Sequence, residues 1–310
     1  MGKANGLGVA DNNLAGIFIM TAGIAVISVK DAFAKLLVVD YPPVQVVSLS
    51  AWLSIVVLLL WSVRSKHQRI VGIQTYRTKH WMAHMIRSGI SVISAIFFLY
   101  SLRYLRLADV TVIFFFAPVL MTAFSAFFLS EAVGKPQWFA VLFGFVGVVI
   151  AMQPDAGNFD WKVALPLAAS VTYATRSVLV RRMTGIESAT QIVFHTRLGV
   201  GILTSVPLFL YWQPMTLSDF SFLIALTLLQ LVAHIMITKS TVTASLAVVG
   251  PFEYTALIWA SLLGYFIWGE IPTSNIWLGA LFIIGAGLLM MYYETLSKQG
   301  LRALLSKPAE

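Results

Sequence analysis

The sequence predicts an all-α integral membrane protein: ten transmembrane helices in two five-helix repeats that cross the bilayer in opposite directions. Three observations lead there. First, 59% of the 310 residues are hydrophobic and only 11% are charged, whereas soluble domains carry roughly 25% charged residues. With a mean hydropathy of +0.85, the solvent for much of the chain must be lipid. Second, the apolar residues come in runs of about 20, the length at which a helix crosses the hydrocarbon core, and not in the short alternating segments of a β-barrel. Third, charged and polar positions of the first half recur in the second at a nearly constant offset.

Taken in order, the expected spans are roughly 14–38, 43–63, 81–104, 108–130, 136–153, 161–182, 189–212, 219–240, 244–268 and 275–295. The stretch Met1 to Asn13 is polar, so the first apolar run is expected to stay as a helix and not to be cleaved as a signal peptide. The sixth span differs from the rest in carrying Lys162 and Arg176. The one longer connection, Arg64 to His80, is polar and basic.

With the N-terminus in the cytoplasm, thirteen Lys and Arg fall on the inside and four (Lys35, Arg103, Arg106 and Lys162) on the outside. The positive-inside rule therefore selects that orientation, and an even number of spans brings the C-terminus to the same side. The expected organisation is a first repeat at 14–153, a second at 161–295, and cytoplasmic tails at 1–13 and 296–310. The net charge of +8 is explained by these loops and makes no case for nucleic acid. The absence of cysteine excludes disulfides, Cys metal sites and a Cys nucleophile. No HExxH or GxSxG motif occurs, so no metal, no cofactor and no catalytic residue are expected.

The repeat is visible residue by residue. Moved by 146 positions, Lys30 meets Arg176, Lys35 meets Arg181 and Gln45 meets Gln191. Moved by 136, Arg103-x4-Ala108 meets Lys239-x4-Ala244; moved by 139, Glu131 meets Glu270. Changes in loop length account for the drift in offset. Five spans per repeat is an odd number, so the second repeat enters from the opposite side, which makes an inverted-topology repeat.

The stretch Leu105-Arg-Leu-Ala-Asp-Val-Thr-Val-Ile-Phe-Phe-Phe-Ala-Pro-Val119, running on to Leu129-Ser-Glu131, resembles the end of one EamA repeat. Val248-Val-Gly-Pro-Phe-Glu-Tyr-Thr-Ala-Leu-Ile-Trp-Ala260, running on to Trp268-Gly-Glu270, resembles the end of a second. Over about residues 14–295 the chain is similar to the drug/metabolite transporter superfamily, and within it to YddG-type amino-acid and metabolite exporters. Carriers of S-adenosylmethionine and riboflavin share much of the pattern. The resemblance implies a central cavity formed by the first four helices of each half, with the fifth and tenth as supports. It implies export of amino acids (aromatic ones included) and related metabolites across a bacterial inner membrane by alternating access. The alternative is uptake of a cofactor-like solute such as S-adenosylmethionine or riboflavin. One departure stands out: Arg197 occupies a position common for Arg in this family, while its first-half equivalent is Ala51.

A charge inside the bilayer is expensive and marks either function or pairing. Lys30, Arg176 and Glu253 are therefore candidate substrate-binding residues. Lys30 and Asp31 point about 100° apart on a helix, so both cannot face the cavity squarely; pairing with a neighbouring helix, or snorkelling of Lys30, is the alternative. Arg176 shares a face with Tyr173 but lies five residues before Arg181, which leaves a cytoplasmic anchor open. Glu253 follows Pro251, and proline loosens a helix by freeing a carbonyl. Pro251 and its counterpart Pro118 in the fourth span are candidate helix-break or gating positions. Glu253 there could bind an amine or a proton, with a structural salt bridge as the alternative.

Phe97 and Tyr100 share a face of the third span and, with Phe115, Tyr173 and Tyr254, are candidates for an aromatic lining; core packing is the alternative for each. His234, one turn after Gln230, is a further candidate, while His84 and His195 read as satisfied histidines. The small residues Ala140, Gly144, Gly147 and Ala151 suit close helix packing within a monomer, which is the expected state, or a dimer face. Glu131 and Glu270 end their helices and are expected to tether a neighbouring segment. The expected partners are a small-molecule substrate and the lipid bilayer.

Overall fold

The computed structural model describes residues 5–64, 78, 80–129, 134–152, 160–183, 189–244 and 246–305. Among these there is no strand. The helices are α1 (Asn5–Asp40), α2 (Pro43–Arg64) and α3 (Trp81–Tyr104). Next come α4 in two pieces (Leu107–Phe114 and Phe116–Leu129) and α5 (Lys135–Met152). The second half has α6 (Ala164–Met183), α7 (Ala189–Leu210) and α8 (Leu217–Thr243). It closes with α9 and α10 (Ser274–Leu305); α9 is Leu246–Val249, a 3₁₀ stretch Gly250–Thr255 and Ala256–Trp268.

Local chemistry sets the ends. Asp160 caps the turn before α6 by accepting the Lys162 N–H, and Thr216 caps α8 by accepting from Asp219. Gly269 adopts φ +67°, the left-handed conformation that stops α9.

Among the described residues, eight of these ten helices are long and apolar enough to cross a membrane. The other two are α6 and α9. Ser170, Thr172, Thr175, Arg176 and Ser177 make α6 polar; these hydroxyls donate to carbonyls of their own helix at 2.7–2.9 Å. In α9 the expected continuous span is replaced by 3₁₀ backbone from Gly250 to Thr255. Pro251 has no N–H to give the Ala247 carbonyl, and the helix does not recover for a full turn. In α4 the interruption is at Phe115, not at Pro118 itself, because proline leaves the carbonyl four residues earlier, that of Phe114, without its partner. Irregular backbone at membrane depth is tolerated only inside protein or along a cavity, so both breaks mark the interior of the bundle.

The inverted repeat is explicit in the packing. Helix α1 packs on α8 as α6 packs on α3; α1 touches α9 as α6 touches α4; α3 packs on α7 as α8 packs on α2. The pairs α2·α7, α4·α9 and α5·α10 map onto themselves. The repeat mates Phe143 and Phe282 meet with tilted rings at 4.7 Å across the α5–α10 seam, so the pseudo-two-fold axis runs between them. Ala140, Gly144, Gly147 and Ala151 are buried in that seam. A Cβ on Gly147 would lie 2.9 Å from the Gly279 carbonyl and 2.7 Å from Phe282 Cβ. The small-residue ladder is consumed within the monomer, which corrects the alternative of a dimer face there.

Gly89 of α3 is the contrasting case, with no atom within 4 Å of a Cβ built on it. Gly89→Ala is expected to stabilise the protein by about 0.5–1 kcal/mol through lost unfolded-state freedom, read as a raised thermal midpoint in detergent.

Candidate functional site

Lys30 of α1 and Asp31 form an ion pair with each other, which resolves the competition between adjacent residues for one face. The Lys30 ammonium also lies 5.7 Å over the ring of Phe98 from α3. Phe98 meets Phe114 edge-on at 5.1 Å, and Phe114 meets Tyr173 at 5.2 Å. The Arg176 guanidinium covers Tyr173 at 4.6 Å. A ladder of three rings from α3, α4 and α6 thus runs between two cations, and these cations are repeat mates.

A polar wall adjoins it. His234 of α8 is exposed, and the Gln230 amide lies 3.2 Å from its Nδ1. Arg197 of α7, Lys30 of α1 and Arg176 of α6 all act on His234 electrostatically, and Arg176 acts on Arg197. Charges from three helices, α1, α6 and α7, thus converge on one exposed side chain of a fourth, α8.

The remaining candidates sit apart from this centre. Phe115, at the α4 break, meets Tyr254 at 5.1 Å. The Tyr254 hydroxyl turns to α10, into the space a side chain at Gly287 would take. Glu253 is half-buried; among the described residues it makes no ion pair and no cation acts on it. Tyr100 stacks on Tyr104, which meets Trp161, so it belongs to an aromatic run farther along α3. Phe97 is half-buried and makes no ring contact among the described residues. Pro251 lies within the 3₁₀ stretch of α9, and Pro118 three residues after the α4 break. His84 and His195 stack at 4.5 Å, with His84 at 3.1 Å from Arg87 and His195 bonded to the Gln191 carbonyl. They pin α3 to α7. No group of three or more His, Asp or Glu is placed to hold a metal among the described residues.

Three side chains of this cluster were not among the binding candidates of the sequence: Phe98, Phe114 and Arg197, the last noted only as a departure from the first half. The repeat offset carries a signal for two of them. Phe98 is 136 residues before His234, and Phe114 is 139 before Glu253, so each is the mate of a recognised candidate.

The end of the bundle that carries the α1–α2, α3–α4, α7–α8 and α9–α10 connections is tied across the repeats. Lys35 of α1 ion-pairs with Glu270 after α9, donates to the Leu105 carbonyl at 2.9 Å and covers the Trp268 ring at 4.9 Å. Glu270 also accepts the Leu107 N–H at 2.9 Å. Beside it, Arg106 pairs with Asp109 and donates to the Ile271 carbonyl. A second tie joins the halves where Gln45 both donates to and accepts from the backbone of Gln213, and Tyr41 donates to Asp219 at 2.7 Å. That carboxylate holds the Tyr41 phenol above its ordinary pKa. Glu270 acts as the expected tether; Glu131 lies outside the described residues.

Ten helices in inverted repeats, with polar and broken helices around a charged aromatic cavity, define a membrane transporter. The model of the EamA-like transporter family matches twice, over 14–153 and 160–292, and the chain belongs to this family of the drug/metabolite transporter superfamily. Among its relatives are a riboflavin transporter of Vibrio cholerae, 26% identical over 90% of this chain and 93% of that one, and an S-adenosylmethionine uptake transporter of Rickettsia bellii, 24% identical over 72% and 77%. A third is the pseudopaline exporter CntI of Pseudomonas aeruginosa, 23% identical over 65% and 72%. A solved crystal structure shares the fold with a TM-score of 0.62 at 19% identity, over 88% of this chain and 96% of that one. The relatives' names cover three solutes and both directions of transport.

Proposed function

We propose that this protein exports amino acids, aromatic ones included, and related small metabolites across a bacterial inner membrane, as a carrier and not an enzyme. It works as a monomer with repeats at 14–153 and 161–295 and with tails 1–13 and 296–310 in the cytoplasm. The observation that supports this reading is the ring ladder Phe98, Phe114 and Tyr173 strung between Lys30 and Arg176 in a cavity shared by both repeats. Planar side chains stack on such rings, and a carboxylate is drawn to the cations. Rocking of the inverted halves supplies alternating access. The positive-inside count puts the Lys35–Glu270 end on the outside, so this is the conformation closed to the outside.

A second reading, uptake of a cofactor-like solute such as riboflavin or S-adenosylmethionine, is favoured by Glu253. It stands apart from the arginines, whereas the amine and carboxylate of an amino acid share one carbon. A longer solute would reach both.

The test is flux in proteoliposomes offered tryptophan, phenylalanine, riboflavin and S-adenosylmethionine. Saturable tryptophan or phenylalanine flux, lowered about tenfold by Arg176→Gln, is the expected result. Flux of riboflavin or S-adenosylmethionine without amino-acid flux selects the second reading. Silence with all four sinks both.

A further inference from the structure

We infer that the transported solute carries an organic anion, a carboxylate or a phosphate, and that this group binds between Arg176 and Arg197 in a subsite built by the second repeat. The inference rests on the transporter reading and names the chemistry its substrate must have.

Four cations lie away from the ends of the spans. Lys30 is neutralised by Asp31, and Arg87 is engaged by the Ile192 carbonyl at 2.5 Å and by His84. Arg176 and Arg197 remain. They act on each other, and among the described residues neither has a carboxylate partner. Two uncompensated like charges in a low-dielectric interior repel each other and are costly to keep dry. A solute anion between them relieves both.

The shape of the site agrees. A guanidinium uses its face for stacking and its edge for hydrogen bonds. The face of Arg176 is taken by Tyr173, while its Nε is buried without a hydrogen-bond partner. Its edge is thus left for a ligand. Gln230 and His234 add neutral polar groups on the adjoining wall.

The repeat shows that this is a property of one half. Where the first repeat follows its cation with Asp31, the second has Ser177, whose hydroxyl donates back to the Tyr173 carbonyl at 2.9 Å. Where the first repeat has Ala51 and Phe98, the second has Arg197 and His234. The first half cancels its charge and offers rings; the second keeps its charge and offers a docking point. Among the relatives' solutes, this chemistry disfavours uncharged riboflavin and favours its phosphorylated or carboxylated counterparts.

The test compares matched pairs on the full-length protein in detergent: tryptophan against tryptophanamide, and riboflavin 5′-phosphate against riboflavin. The anionic member of at least one pair is expected to bind about tenfold tighter or better, the scale of one charge-assisted hydrogen bond. Arg197→Gln and Arg176→Gln are expected to erase that preference, and Arg197→Lys to restore part of it. Inorganic phosphate is expected to compete with the anionic member on the wild-type protein, a readout that needs no variant. A neutral member that binds as well as its anionic partner overturns the inference while leaving transport of aromatic metabolites intact. So does a preference that survives both Gln variants. If none of the four compounds binds, the transporter reading of this cavity fails and the inference falls with it.

Discussion

Glu270→Gln and Lys35→Met are each expected to open the tied end of the bundle and to lower stability by about 3 kcal/mol, the lower part of the range for unpairing one partner of a buried ion pair. The side chains are 17% and 7% exposed, so water offers little replacement. Glu270 belongs to the end of α9, in the second repeat. On it converge the side chain of α1 and the first N–H of α4, and Lys35 in turn holds the Leu105 carbonyl that follows α3. One carboxylate therefore joins three elements of the first repeat to the second. Glutamine keeps the shape and one acceptor but leaves the Lys35 ammonium beside Trp268 without a counter-charge. The chain contains no cysteine, so a single cysteine placed at Gln230 reports access to the cavity. Labelling by a membrane-impermeant thiol reagent from outside is expected to accelerate in both variants. The exchange Lys35→Glu with Glu270→Lys is expected to slow it again. Unchanged labelling in both single variants would mean that this pair does not hold the end closed.

The sequence made the scaffold legible because its signals are one-dimensional. Span length is a count of apolar residues, orientation a count of Lys and Arg, and the repeat a constant offset between charges. Those signals survive without knowing which way any helix is rotated. The site depends on rotation. Phe98 joins the ladder and Phe97 does not, and a step of one residue turns about 100° on a helix. In helices apolar all round, no polar face reveals that angle. The charged candidates fared differently. Lys30, Arg176 and His234 announced themselves as polar groups in apolar runs, and both cations act on His234. Lys35 was legible as a topological charge and a repeat mate but not as half of an ion pair, because its partner is 235 residues away. Pro251 marked a weak point in α9, but whether the helix resumes after one residue or after six is decided by packing around it.

Valine at Gly147 or at Gly279 is expected to lower the thermal midpoint in detergent sharply, by the equivalent of about 3 kcal/mol or more, since overpacking a filled seam strains backbone as well as side chains. Helices in lipid gain nothing from hiding apolar surface from water and associate through close contact. At this crossing the contact is backbone to backbone. A Cβ on Gly279 would lie 2.7 Å from the Gly147 carbonyl and 2.6 Å from Ala151 Cβ, neither of which is the free end of a flexible side chain. The repeat mates of Gly147 and Gly279 are Ala286 and Ala140, both fully buried. The same seam thus accepts a methyl group at the symmetric positions, and alanine at Gly147 or Gly279 is expected to fall between wild type and valine. A midpoint unchanged by valine would show that α5 and α10 can separate without loss. Separation matters beyond stability because α10 also carries Gly287, against which the Tyr254 hydroxyl rests. Moving α10 outward frees Tyr254, and with it Phe115 at the α4 break. The α5–α10 seam therefore fixes the position of irregular backbone in both repeats, and solute flux is expected to fall together with the midpoint along the Gly, Ala, Val series.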